Sequence, residues 1–212
     1  MTDRQTRVGA LLWILAVQFF VVQVIAQLAW TTPFSLADNF ISDLGNTICS
    51  YYPPESSSYV CSPSHRLMNL SFVALGFTRI LGTMLARGAF PPSRITGVGL
   101  GLFGLSGLGA IVVGLFPENV NGDWHRAGAG LDLVGGNLGI ALLGVVLLRG
   151  QAAALGGYSI VSGVVGLIAL WLFMSGRYFG LGIGGMERLA AYPISLWMIV
   201  AGFYLISRAR SA

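Results

Sequence analysis

The chain has 212 residues, 55% of them hydrophobic and only 9% charged, and carries a net charge of +4; its mean hydropathy is +0.75. One soluble core cannot conceal so much apolar surface, so lipid must solvate much of it and the chain is read as an integral membrane protein. Its cations are all arginine and the densest basic run is Arg208-Ala-Arg210, which excludes a nucleic-acid surface.

Six stretches each supply the roughly 20 apolar residues that span a hydrocarbon layer: 9–30, 67–86, 96–116, 127–148, 152–175 and 189–207. The first follows Arg4 and Arg7 and runs without charge from Val8 to Ala37. That exceeds the roughly 7 to 15 residues of a signal core, so it is read as a retained helix. The prediction is an all-α polytopic bundle of six transmembrane helices, built as three successive hairpins within one domain spanning 1–212. A membrane barrel would instead show alternating segments of roughly 10 residues. Glycines crowd 97–109 and 128–139, and small residues let membrane helices approach closely, so the third and fourth helices are expected to form the tightest pair.

The arginines set the orientation. Arg4, Arg7, Arg87, Arg94, Arg149, Arg208 and Arg210 fall at one set of helix ends, and Arg66, Arg126, Arg177 and Arg188 at the other. The first set is expected to face the cytoplasm, with both termini, in a bacterial cytoplasmic (inner) membrane. The long loop 31–66 is then outside. It carries Asp38, Asp43, Glu55, Cys49 and Cys61. In an oxidising compartment the two cysteines are expected to form a disulfide, with two free thiols as the alternative; their spacing is a weak metal pattern.

Each loop on this outer side is followed by an apolar stretch that opens with an ionisable residue and arginine: His65-Arg66, His125-Arg126 and Glu187-Arg188. Asn69 lies i+4 from His65 and Asp132 lies i+7 from His125, on the same faces and deeper. An aspartate two turns inside a membrane helix must face a protein or water-filled interior and find a partner. The expectation is an outward-opening polar pocket that gathers His65, His125, Asp132 and Glu118, with Asp43 and Ser42 from the long loop. Arg66, Arg126 and Arg188 would hold its rim or simply snorkel. Arg79 is some four turns below the outer end and pairs with Asp132 only if the helices are offset in depth. Gln23 and Gln27 extend the network or bond a neighbouring helix, and Trp30, Trp124, Trp171 and Trp197 read as interfacial anchors.

The run Phe40-Ile-Ser-Asp-Leu-Gly45, His65 with Asn69, Phe116-Pro117-Glu118 followed by His125, and Gly185-Met-Glu-Arg188 with Trp197 beyond resemble the six-helix bacterial membrane proteins of domain-of-unknown-function family 998. The resemblance covers nearly the whole chain. It implies a six-span inner-membrane protein and no particular activity. The matching positions are Ser42, Asp43, His65, Asn69, Glu118, His125 and Glu187 with Arg188.

The leading functional reading is a pocket that binds a lipid or other amphiphile, with Asn69, Arg66, Arg126, Glu187 and Arg188 contacting the ligand; membrane lipids are the expected partners. The alternative is a membrane-embedded hydrolase or transferase acting on a lipid head group, with His65 or His125 as base and Asp132, Glu118, Asp43 and Ser42 as further candidates. No cofactor is expected. A zinc version needs an acid as third ligand beside His65 and His125, and a bis-histidine haem protein would use those same two residues.

Overall fold

The computed structural model describes residues 3–52, 59–150 and 152–208; Glu55 and Arg210 lie outside the described residues. Seven helices make six membrane spans: α1 (Asp3–Ile14) and α2 (Val17–Leu28) form the first, followed by α3 (His65–Ala86), α4 (Arg94–Leu115), α5 (Gly122–Leu148), α6 (Ala153–Met174) and α7 (Gly182–Arg208). The chain is therefore a multi-pass membrane protein with an all-α bundle. Leu70, Phe77, Met84, Val161, Trp171 and Phe203 stand exposed on its flanks, where lipid chains replace water as their solvent.

Five of the six spans begin earlier than hydropathy indicates, three of them at the loop end. The opening turns His65-Arg66, Gly122–Arg126 and Gly182–Arg188 are too polar to register as apolar span, yet they are helical. Asn121 caps α5 by accepting the Trp124 N–H at 3.2 Å, and Ser93 caps α4 by accepting that of Thr96 at 3.0 Å; each satisfies an otherwise unpaired donor of the first turn. The first span is interrupted near Leu15-Ala16, where Ala16 and Gln18 donate to carbonyls three residues back. Immediately beyond, Gln18 and Ser71 exchange two bonds, Gln18 Nε2 to the Ser71 carbonyl at 3.1 Å and Ser71 Oγ to Gln18 Oε1 at 2.8 Å. These clasp α2 to α3.

Helices pack chiefly against their sequence neighbours, α4 against α5 most closely, and α7 returns to α1. A Cβ on Gly109 would stand 2.5 Å from the Gly128 carbonyl and from the Asp132 amide nitrogen. One on Gly139 would stand 2.9 Å from the Gly99 carbonyl. Bare backbones touching in this way maximise dispersion contact where lipid provides no hydrophobic drive. The aromatic centre is Trp13, Phe103 and Trp197, with ring centroids 5.0 to 5.8 Å apart. Trp197 thus departs from the interfacial role expected of it: it is fully buried and its indole N–H donates to Ser159 Oγ at 2.6 Å. Trp124 and Trp171 are exposed.

The long loop lies at one end of the bundle, the loop end. Cys49 and Cys61 are joined by a disulfide beside a short antiparallel pair, β1 (Ser50–Tyr51) and β2 (Tyr59–Val60).

Candidate functional site

After α2 the chain turns back into the bundle. Ile41, Ser42, Asp43, Leu44, Gly45 and Asn46 are all buried, and Ser42–Gly45 forms a single 3-10 turn. A buried loop must place its backbone polar groups, and the polar residues of the surrounding helix ends do that here. Glu187 Oε2 accepts the Ile41 N–H at 2.5 Å. Asn69 Nδ2 donates to the Gly45 carbonyl at 2.9 Å, and Ser62 Oγ to that of Leu44 at 2.7 Å. Arg188 Nη1 donates to the carbonyls of Leu36, Asn39 and Gly184 at 3.0, 2.7 and 2.9 Å. The Ala37 carbonyl in turn accepts from Gly184 at 2.7 Å, and it lies so close that a Cβ on Gly182 (φ +74°) would come within 2.2 Å. The loop is a plug, bolted to α3, to the α4–α5 turn and to α7.

Beneath the plug is a chamber lined mainly by apolar groups, with Ser42, Arg79, His125, Asp132, Glu187 and Ser195 as its polar lining. About 50 Å³ is open to the centres of water molecules, room for about three or four waters. Arg79 forms an ion pair with Asp132 and donates to Ser106 Oγ at 2.8 Å. His125 Nδ1 lies 2.9 Å from the Phe116 carbonyl. A carbonyl only accepts, so Nδ1 carries the proton, and Nε2 offers a lone pair whenever the ring is neutral.

The Arg79–Asp132 pair depends on stagger. With α4 as a ruler, Gly76 of α3 lies opposite Gly107, while Gly128 of α5 lies opposite Gly109. His65 therefore stands about one and a half turns nearer the loop end than His125, and Arg79 comes within about one turn of Asp132. The equal depth implied by the repeated His-Arg pattern does not hold.

Two carboxyls meet between the plug and the α4–α5 turn. Asp43 Oδ2 accepts from the Phe40 N–H at 2.8 Å and from Asn39 Nδ2 at 3.3 Å. Glu118 Oε2 accepts from Ser42 Oγ at 2.8 Å. Asp43 Oδ1 and Glu118 Oε1 have no donor, yet the two side chains are within hydrogen-bonding reach of each other. Burial, then the negative charge of Asp43, pushes Glu118 well above the ordinary glutamate range. Burial also raises Asp43, against the opposing hydrogen bonds from Glu118, Phe40 and Asn39 and the charge of Arg188. One proton shared between Oδ1 and Oε1 satisfies both oxygens.

The structure brings together Ser42, Asp43, Glu118, His125, Asp132 and Glu187. His65 is half-buried, its Nδ1 turned back to the Ser62 carbonyl at 2.9 Å, and it does not line the chamber. Asn69 serves the plug. Arg66 is exposed, as is Arg126, which pairs with Asp123 at 2.5 Å, whereas Arg188 is buried; the three repeats do not place their arginines alike. Among the described residues no group of three or more His, Cys, Asp or Glu side chains is placed to hold a metal ion. Ser195 and Ser106 were not singled out by sequence, because a lone serine in an apolar helix carries no signal; only the i+4, i+8 spacing of Ala191 and Ser195 from Glu187 marks the face they share.

A family profile described as "Protein of unknown function (DUF998)" matches residues 14–204. The chain belongs to this family. The matched DUF998 region runs from the last residue of α1 almost to the end of α7 and so contains the plug, the chamber and the residues of the candidate site. No curated protein and no solved structure matches the chain.

Proposed function

We propose that this protein binds the polar head of a membrane amphiphile in the chamber, on the outer side of a bacterial cytoplasmic membrane with both termini cytoplasmic. The observation that carries the reading is a mostly apolar chamber, open by about 50 Å³, with Arg79–Asp132, His125, Glu187 and Ser42 set into it under a plug. Apolar walls with a few convergent polar groups suit a small ligand better than an ion path. The room under the plug takes a group the size of a phosphate or an ammonium, and the hydrocarbon chains remain in lipid. The arginine distribution and the disulfide in the loop support the orientation.

A hydrolase acting on the same head group is the second reading, favoured by His125 Nε2, a lone pair available as a general base in the chamber wall. One experiment tests both. Protein purified with native lipid is analysed by mass spectrometry for bound and converted species, beside Ala191→Leu, which fills the chamber, and His125→Ala. Wild type retains a lipid and Ala191→Leu loses it by at least about tenfold. Equal retention by wild type and Ala191→Leu refutes the chamber as the site. Turnover that vanishes in His125→Ala replaces the binder with the enzyme.

A further inference from the structure

The chamber has a second, lateral wall. Phe19 of α2 and Ala191 of α7 line it, and Gln23 lies one turn beyond Phe19 on the same face. There Tyr192 donates its hydroxyl to Gln23 Oε1 at 2.8 Å and sets its ring against Phe20, centroids 5.1 Å apart. Otherwise α2 leans on α3 rather than on α7. The wall between α2 and α7 is thus a hydrogen bond and an aromatic contact rather than a packed helix crossing. Pro193, next to Tyr192, removes a backbone bond from α7 at the same level.

Buried donors stand next to this wall, outside the chamber lining itself. Arg188 lies one turn from Tyr192 on α7, on the same face. It is 6% exposed, and its three hydrogen bonds all leave from Nη1. Beyond a contact of the guanidinium with the Tyr192 hydroxyl, Nε and Nη2 have no acceptor, and Nε2 of Gln23, which is 2% exposed, has none. Phe34 covers one face of the guanidinium at 5.6 Å. Asp43 and Glu187 act on its charge, but their described hydrogen bonds go to the plug. The charge is balanced while the directional donors are not. The Nε/Nη2 edge is the fork that grips a carboxylate or phosphate through two parallel bonds.

We propose that the Nε/Nη2 edge of Arg188, with Gln23 Nε2 across Tyr192 from it, binds the phosphate or carboxylate of an amphiphile that reaches the chamber sideways between α2 and α7. This rests on the chamber reading above and adds the ligand's chemistry and its route. The ligand carries an oxyanion; its chains stay in the bilayer, and the Gln23–Tyr192 bond opens as the head passes.

The test compares phosphatidylglycerol, a diacylglycerol with the same chains and no oxyanion, and inorganic phosphate, each incubated with the full-length protein and read by native mass spectrometry. Wild type is expected to retain phosphatidylglycerol over diacylglycerol by at least about tenfold. Arg188→Lys keeps a cation for the carbonyls but loses the fork, and is expected to lose the preference. Gln23→Leu is expected to weaken it, and carries the test if Arg188→Lys unfolds. Equal retention of the two lipids by wild type, emptied by Ala191→Leu, overturns the oxyanion edge and leaves the chamber reading standing. Binding of inorganic phosphate without preference for phosphatidylglycerol overturns the amphiphile as the source of the anion. Retention of neither lipid nor phosphate overturns this inference and the chamber reading together.

Discussion

Asp132→Asn tests whether the ion pair at the chamber floor is a coupled unit. Arg79 is 1% exposed, its Nε has no partner, and its remaining described side-chain bond goes to Ser106. At ordinary ion-pair contact of about 3 Å, two unit charges attract by about 5 kcal/mol at an effective dielectric of 20. Removing one member of such a pair leaves an uncompensated buried charge, which costs about 3 to 5 kcal/mol, whereas removing both is close to neutral when the replacements fill the space. Asp132→Asn should therefore shift the folding equilibrium by about two to four orders of magnitude. Arg79→Met and Asp132→Leu each break the pair in the same way, and the double variant Arg79→Met, Asp132→Leu, which closes the cycle with them, should recover most of that loss. Unfolding by SDS titration, followed by the fluorescence of buried Trp13 and Trp197, measures each corner of the cycle. Two single variants that each cost less than about 1 kcal/mol, with an additive double, would refute the argument.

The shared proton predicts a pH dependence with a definite sign. Folding raises both Asp43 and Glu118, so their contribution is fully present below the unfolded values near 3.8 and 4.5 and is lost as pH rises through the folded ones. Labelling of a Leu44→Cys plug, taken relative to a free thiol at each pH because the thiolate is the reacting species, should accelerate as pH rises above the ordinary carboxylate range; in a Glu118→Gln background, where the amide donates at every pH, a flat relative profile is expected, and an unchanged slope would exclude the pair as its origin. Gly109 and Gly97 make a contrast on one helix. Gly109→Ala drives a methyl into α5 and should cost about 1 to 3 kcal/mol, while Gly97 has nothing within 4 Å and Gly97→Ala should be neutral or stabilising by up to about 1 kcal/mol, read from the same SDS titration.

Span number and helical class are legible because hydropathy over a span is a sum of local properties, insensitive to which residues meet. Span starts are less legible: the turns at His65, Gly122 and Gly182 are polar because they bond to a loop, and a polar turn looks the same to a hydropathy window whether it is helical or not. Asp132 is legible as inward-facing, since a lone acid at that depth has no other tolerable environment. Its partner is not, because the pairing rests on a stagger of about one and a half turns between α3 and α5, set by which glycines of α4 meet which helix.

The repeated ionisable-arginine pairs divide for the same reason. His65-Arg66, His125-Arg126 and Glu187-Arg188 look equivalent in one dimension, but helix phase and depth turn Arg66 and Arg126 outward and Arg188 inward. Sequence alone determined that six apolar helices cross a membrane and that both histidines and most of the acids lie toward one set of helix ends, because burying apolar surface and partnering charge are requirements each segment carries by itself. Only the tertiary structure decided that the loop folds back as a plug, that His65 stays outside the chamber and that Arg188 turns inward to hold the plug. Those depend on register between segments far apart in the chain, which glycine contacts set and composition does not encode.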